Sequence, residues 1–151
     1  MFNSWMLSHD ACLLLVDRLR ELRPKRALEV GSGFSTGIIA LYAEELISLE
    51  HDKKFAPPWP CVKICNIKDG WFEAELFSEI NFVLIDSPSR NPGRSATLPN
   101  IWPHLAKDFE VWLDDFNRDH EKSIVEEWKK EFPISVQRID TERGLAIITP
   151  S

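Results

Sequence analysis

Two glycines, Gly31 and Gly33, follow the short apolar run Ala27-Leu28-Glu29-Val30. Ser35 and Thr36 open a second apolar run behind them, Gly37-Ile38-Ile39-Ala40-Leu41. Such a loop brings backbone N–H groups close to a ligand with no Cβ in the way, and a helix starting behind it turns its positive end toward an anion. Glu29 stands inside the first run. Further acids recur along the chain: Glu50, Asp69, Asp86 and the pair Asp114-Asp115 each close or follow a short apolar stretch. Carboxylates of this kind can accept paired hydrogen bonds from a diol, take up a proton or ligate a hard cation. Arginines lie near the last of them: Arg90 and Arg94 in the Pro/Ser/Gly/Arg-rich stretch 87–96, and Arg118 just beyond Asp115.

The spacing of apolar residues predicts the elements that position these groups. Residues 8–22 carry Ala11, Cys12, Leu15, Leu19 and Leu22 at helical spacing, with Ser8 as the expected cap and Arg23-Pro24 as the stop. Arg26–Val30 reads as a strand, 35–45 as a helix and 46–50 as a second strand. Pro57, Pro58 and Pro60 leave room for only a short helical turn after Glu50. Residues 61–67 read as a third strand and 81–86 as a fourth, apolar on both faces and therefore central. Residues 69–78 fit either period. A helix near 96–105 is interrupted by Pro99 and Pro103, Phe109–Leu113 is a fifth strand, and 118–132 is a helix whose buried stripe is Ile124, Val125, Trp128 and Phe132. Ser135–Ile139 and Leu145–Thr149 form a closing hairpin.

Strand and helix alternate, which predicts a mostly parallel sheet with helices on both faces. A hairpin cannot join parallel strands, so one terminal strand must run antiparallel. The expected fold is a single-domain α/β three-layer sandwich on a seven-stranded sheet, with residues 1–24 as an N-terminal helical segment. In open sheets of this type ligands bind at the carboxyl ends of the strands, where the acids fall.

Composition excludes several classes. At 151 residues, 44% hydrophobic and 28% charged, the chain has the profile of one globular domain. A net charge of −6 argues against nucleic-acid binding, which needs a basic surface. No apolar run approaches the length of a membrane span, and the start lacks a basic segment followed by a signal core, so the expected compartment is the cytoplasm. Cys12, Cys61 and Cys65 are odd in number and fit a reducing compartment. Cys61 and Cys65 read as strand thiols rather than a metal pair, since no further Cys or His stands at ligand spacing.

The loop is one residue too long between Gly33 and Gly37 for the G-x-G-x-x-G dinucleotide fingerprint, and no Gly-Lys-Ser/Thr makes it a P-loop. The single tyrosine, Tyr42, has no lysine four residues on, so a short-chain dehydrogenase pair is absent. "LEVGSGFST", with Glu50 at the end of the next strand, resembles instead the class I S-adenosylmethionine-dependent methyltransferases. The resemblance runs along almost the whole chain and includes the closing antiparallel hairpin. "IDSPSRNPGRSA" and "LDDFNRDHE" look like a bacterial branch of these enzymes that carries similar Asp-x-Pro…Gly-Arg and Asp-Asp-x-x-Arg segments.

That resemblance implies a Rossmann-like core with S-adenosylmethionine as cofactor. Gly31, Ser32, Gly33, Ser35 and Thr36 would meet its methionine end. Glu29 would hold the loop or accept from the ammonium, Glu50 would take the ribose diol, and His51 and Asp69 would lie at the adenine. Asp86 would border both cofactor and acceptor. Asp86 or Asp115 would act as base or orient the acceptor, with Arg118. Arg90, Arg94 and Arg118 would suit an anionic small-molecule or glycan acceptor, or would pair with Asp86 or Asp115. Asp114 or Asp115 could instead cap the following helix. The catechol-type O-methyltransferases bind a divalent ion with two Asp and an Asn at similar strand ends. Here Asp115 replaces that Asn, and the reading adopted assigns no metal. A nucleotide-binding oxidoreductase and a methyltransferase-like domain without catalysis are the alternatives.

Overall fold

The computed structural model describes residues 7–88 and 93–151, so Arg90 lies outside the described residues. Helix α1 (His9–Leu22) precedes β1 (Arg26–Val30), α2 (Phe34–Tyr42) and β2 (Glu45–Glu50). A short 3₁₀ turn at Lys53–Phe55, as expected before the prolines, leads to β3 (Val62–Ile64). Then come β4 (Ile67–Lys68), β5 (Trp71–Phe72) and β6 (Ile80–Ile85). Helix α3 (Thr97–Ile101), β7 (Leu105–Asp114), α4 (Asp119–Glu131), β8 (Ile134–Ile139) and β9 (Leu145–Pro150) complete the order.

Seven strands form one sheet in the order β3-β2-β1-β6-β7-β9-β8. β1, β2, β3, β6 and β7 pair in parallel, while β9 runs antiparallel between β7 and β8. The predicted α/β sandwich with a closing antiparallel strand is therefore the observed fold.

Alternation along the strands sorts the core into two layers. Leu28 and Val30 of β1, Val83 and Ile85 of β6 and Val111 and Leu113 of β7 pack with Leu98 and Ile101 of α3 and Ile124, Val125 and Trp128 of α4. The opposite parity, Ala27, Phe82, Leu84 and Trp112, packs under Ala11, Cys12, Leu15 and Leu19 of α1 and Ile39 of α2. Glu29, Ser48 and Glu50 share this second parity, which carries three polar groups into the layer below α2.

Several boundaries differ from the sequence reading. β3 stops at Ile64, and the stretch after it folds as the β4–β5 hairpin rather than prolonging the strand. Asp69 (φ +53°) and Gly70 (φ +80°) form its two-residue turn, the left-handed pair that a tight hairpin demands. β7 begins four residues earlier than expected, at Leu105. Ser8 stands at the N-cap of α1 as expected, but its side chain makes no capping bond: its hydroxyl donates to Asp10 Oδ1, which itself accepts from the Ala11 N–H. On α4 the surface ion pairs join Glu126 to Lys129 and Glu127 to Lys130. Among the described residues no helix is long and apolar enough to cross a membrane.

Candidate functional site

The glycine loop turns between the carboxyl ends of three adjacent strands. Gly31 N–H donates to Leu49 O of β2, and Asp86 N–H donates to Val30 O of β1. Gly31 has φ +100°, and a Cβ there would lie 2.4 Å from Ser87 Cβ, so glycine is required by both conformation and contact. Gly33 is different. Its backbone is extended, and among the described residues a Cβ would meet nothing within 4 Å. The space beside Gly33 is open, at the N-terminal turn of α2.

Beneath the loop Glu29 is fully buried. Its carboxylate accepts from the hydroxyls of Ser35 and Thr36 at the start of α2 and from Ser48 Oγ of β2 at 2.6 Å. Thr36 Oγ1 in turn accepts from the Gly33 N–H at 2.9 Å. Glu29 thus ties loop, helix and neighbouring strand together rather than facing open space. Burial pushes its carboxyl up to about 7, against the three hydroxyl donors that favour the charged form.

Glu50 ends β2 and is 4% exposed. Its Oε1 accepts from Ser32 N–H (3.2 Å) and Ser32 Oγ (2.7 Å), and its Oε2 from the N–H groups of His51 (2.9 Å) and Asp52 (3.1 Å). A carboxylate has about four lone-pair sites, and these four donors fill them. A diol reaching Glu50 must displace one, and the Ser32 hydroxyl, on a rotatable side chain, is the donor that can leave. His51 is half exposed, with its ring edge-on to Phe72. Asp69 departs from expectation: it is exposed at the hairpin tip, where its residue type serves the turn. Trp71 sits beside it, packed edge-on against the buried Phe72.

The second group of acids stands at the ends of β6 and β7, which pair in parallel with Ile85 opposite Leu113. Carboxylate oxygens of Asp86, Asp114 and Asp115 lie within 4.8 Å of one another. Asp114 is fully buried, and among the described residues its carboxylate meets no cationic donor, only the Asp86 carboxyl and the Asp115 N–H beside it. Asp115 is 4% exposed and held at φ +60°, a left-handed conformation that Asp tolerates better than most residues. Burial pushes the Asp86 carboxyl well up, reinforced by the charge of Asp114 beside it. Asp114 is pushed up by burial and by Asp115.

Arg94 lies at the centre of this group and follows the second of its two expected roles, pairing with Asp115 and Asp86 rather than gripping an acceptor. It is 2% exposed. Nε donates to Pro88 O (3.1 Å), Nη1 to Asp114 O (2.9 Å), and Nη2 to Asp86 O and to Asp115 Oδ2 (both 2.9 Å). Four of five N–H groups are thereby taken, and Nη1 lies 4.0 Å from Glu121 Oε1 as well. Arg118 is half exposed, with Nη1 3.4 Å from Asp115 Oδ2. Its N–H donates to Asp115 O, and Arg118 itself is the N-cap of α4, so neither Asp114 nor Asp115 caps that helix with its side chain.

Two participants escaped the sequence reading. Ser48 looked like one polar residue in an apolar strand, and only the register of β1 against β2 puts it opposite Glu29. Glu121 looked like part of the charged face of α4, yet it is 1% exposed and points toward Arg94, with no partner for Oε2 among the described residues.

No protein-family model matches the chain, and no curated protein matches it. Solved structures do. A methyltransferase of Podospora anserina bound to S-adenosylhomocysteine superposes with a TM-score of 0.77 at 17% identity, over 97% of this chain and 80% of that one. An O-methyltransferase of Bacillus cereus in complex with S-adenosylhomocysteine gives 0.75 at 14% identity, over 99% and 84%. An O-methyltransferase of Streptomyces achromogenes involved in tomaymycin synthesis, in complex with S-adenosylmethionine, gives 0.71 at 14% identity, over 99% and 83%. At these identities the likeness is one of fold: the chain is built on the same Rossmann-like α/β sheet as these methyltransferases.

Proposed function

We propose that this chain is a methyltransferase that takes its methyl group from S-adenosylmethionine and passes it to oxygen or nitrogen of a small-molecule or glycan acceptor. One observation carries the reading. The open glycine loop, the buried Glu50 and the Asp86–Asp115 group stand at the carboxyl ends of four adjacent parallel strands, β2, β1, β6 and β7, and so face one edge of the sheet. The structural neighbours that hold S-adenosylhomocysteine or S-adenosylmethionine share this topology.

In this reading the open space beside Gly33 takes the methionine part, whose carboxylate meets the N-terminal turn of α2. Glu50 accepts the ribose hydroxyls as Ser32 Oγ gives way, and His51 borders the adenine. Glu29 and the Asp69 turn shape the site from behind and beside it. The sulfonium methyl then points toward β6 and β7. Transfer is an in-line displacement in which the acceptor lone pair forms a bond to the methyl carbon, the carbon–sulfur bond breaks, and its electron pair leaves neutral S-adenosylhomocysteine. The acceptor proton goes to a carboxylate. Asp86 suits that task by its place at the end of β6 beside Asp115, and burial with the Asp114 charge raises its affinity for a proton. Asp115, fixed by Arg94 and flanked by Arg118, orients the acceptor, and the half-exposed Arg118 is placed to meet an anionic substituent.

Calorimetry of the purified chain with S-adenosylhomocysteine, S-adenosylmethionine and NAD tests the reading. Binding of the two adenosyl compounds and not NAD is expected. Binding of NAD alone refutes it, and cofactor binding without methyl release to any acceptor in a broad screen favours a binding domain.

A further inference from the structure

The carboxylates at the ends of β6 and β7 already hold a cation. We propose that the Arg94 guanidinium is the resident cation of this cluster, taking among these carboxylates the place a divalent ion could hold, so that the chain positions its acceptor without metal. The proposal rests on the methyltransferase reading for its role, but its geometry is independent of any cofactor.

Three carboxylates within 4.8 Å look at first like a site for Mg²⁺ or Ca²⁺. Arg94 changes that chemistry. Its Nη2 is 2.9 Å from Asp115 Oδ2 and 3.8 Å from Asp86 Oδ1, and its Nη1 is 4.0 Å from Glu121 Oε1. Three acids on three elements therefore surround one buried positive charge. A guanidinium cannot lose its proton at any ordinary pH. Nor is this one free to swing aside, because it also donates to the carbonyls of Asp86, Pro88 and Asp114. The Asp115 oxygen nearest it has Arg118 Nη1 3.4 Å away as well. A dication among the same oxygens would be forced against a charge that has nowhere to go.

The substitution has a mechanistic consequence. A bound dication keeps open positions and can take the acceptor oxygen directly. Arg94 has spent four of its five donors on the protein, and the Nη1 that carries the fifth stands 4.0 Å from Glu121. It is a positioning residue: it draws the ends of β6 and β7 together and aims Asp115, while the acceptor proton must leave to a carboxylate instead of to solvent from a metal-bound oxygen.

Mn²⁺ titration followed by electron paramagnetic resonance tests this on the full chain. The wild type should bind no stoichiometric Mn²⁺, with or without S-adenosylhomocysteine. Arg94→Met leaves the carboxylates uncompensated and should gain one Mn²⁺ per chain. The gain should vanish in Arg94→Met/Asp115→Asn and should not appear in Arg94→Lys, which keeps the charge. A merely structural role for Arg94 predicts no such gain. Stoichiometric Mn²⁺ on the wild type, lost in Asp114→Asn, overturns the proposal. So does an Arg94→Met protein that melts cooperatively and stays blind to Mn²⁺. If Arg94→Met does not fold, the wild-type titration decides alone, its silence supporting the proposal and a bound ion overturning it. Calorimetry with S-adenosylhomocysteine on the same samples separates the claims, since failure of the wild type to bind it refutes the methyl-donor reading and leaves the cation result standing.

Discussion

Glu29→Gln isolates the energetics of the polar knot beneath the glycine loop. The wild-type carboxyl is fully buried and pushed from its ordinary 4.5 to about 7, chiefly by burial. Because the folded value lies above the unfolded one, the native state binds the proton more tightly. The group's contribution to stability is therefore complete below about pH 4.5 and is lost as pH rises to about 7. At about 1.4 kcal/mol per pH unit, the loss amounts to roughly 3 kcal/mol. Glutamine has nearly the same shape, and its carbonyl can still accept from Ser35, Thr36 or Ser48, but it does not titrate. Asp86 and Asp114 titrate in both proteins, so only the difference between the two stability profiles reports Glu29. Urea unfolding at pH 5, 6, 7 and 8 should show the wild type losing roughly 2–3 kcal/mol more than the variant, since a little of the loss already falls below pH 5, with most of the divergence complete by pH 7 to 8. Profiles that run parallel across this range would show that Glu29 keeps its charge in the fold, held by the hydroxyls, and the argument from burial would fail.

The other expectations concern the loop and the acids facing it. Gly31→Ala should lower stability by about 2 kcal/mol or more in chemical unfolding, since it adds a Cβ 2.4 Å from that of Ser87 at a left-handed φ. Glu50→Gln should weaken S-adenosylhomocysteine binding by about tenfold or more in calorimetry, the expected scale for a charged hydrogen-bonding partner. It is a cleaner probe than Glu50→Ala, because the carboxylate accepts four bonds from its own chain, and alanine would lower stability as well. Ser32→Ala removes the donor that competes with the ribose and should leave that affinity unchanged or raise it. Asp115→Asn should keep cofactor affinity and depress turnover, followed as S-adenosylhomocysteine release once an acceptor is found.

The strands and the loop were readable because each carries its own local signal. The apolar run of β6 and the glycines after β1 announce buried strand and close approach without reference to anything distant. The β4–β5 hairpin also had its signal, Asp69-Gly70 between apolar residues, but an acid after a strand reads equally well as a ligand contact. The first residues of β7, Leu105-Ala106-Lys107-Asp108, have no strand alternation; Leu105 joins the sheet opposite Ile80, and the register then shifts before Glu110 meets Phe82. Arg94 was legible as a basic loop residue near acids but not as a buried one. Its burial is stabilised largely by backbone carbonyls of Asp86, Pro88 and Asp114, which have no residue type and leave no trace in a sequence. Glu121 was hidden for a related reason. A helix face that is charged at almost every position gives no hint of which charge turns inward.

The place of β9 bears on how the molecule assembles. It follows β8 in sequence yet inserts between β8 and β7, and its first ladder joins Val111 to Ile148, a separation of 37 residues (148 − 111). Until that distant strand arrives, β7 presents a row of unpaired amides, a template on which another chain can pair. Closure of this long loop must precede the contacts that reward it, which places it among the slow steps of folding. The turn before β9 also anchors the residues just beyond Asp115: Phe116 and Asn117 donate to the carbonyls of Gly144 and Arg143. The β7 half of the acid cluster is thus set in position only when the last strand docks, and a variant that slows β9 would show it first as aggregation of nascent protein, before any loss of equilibrium stability.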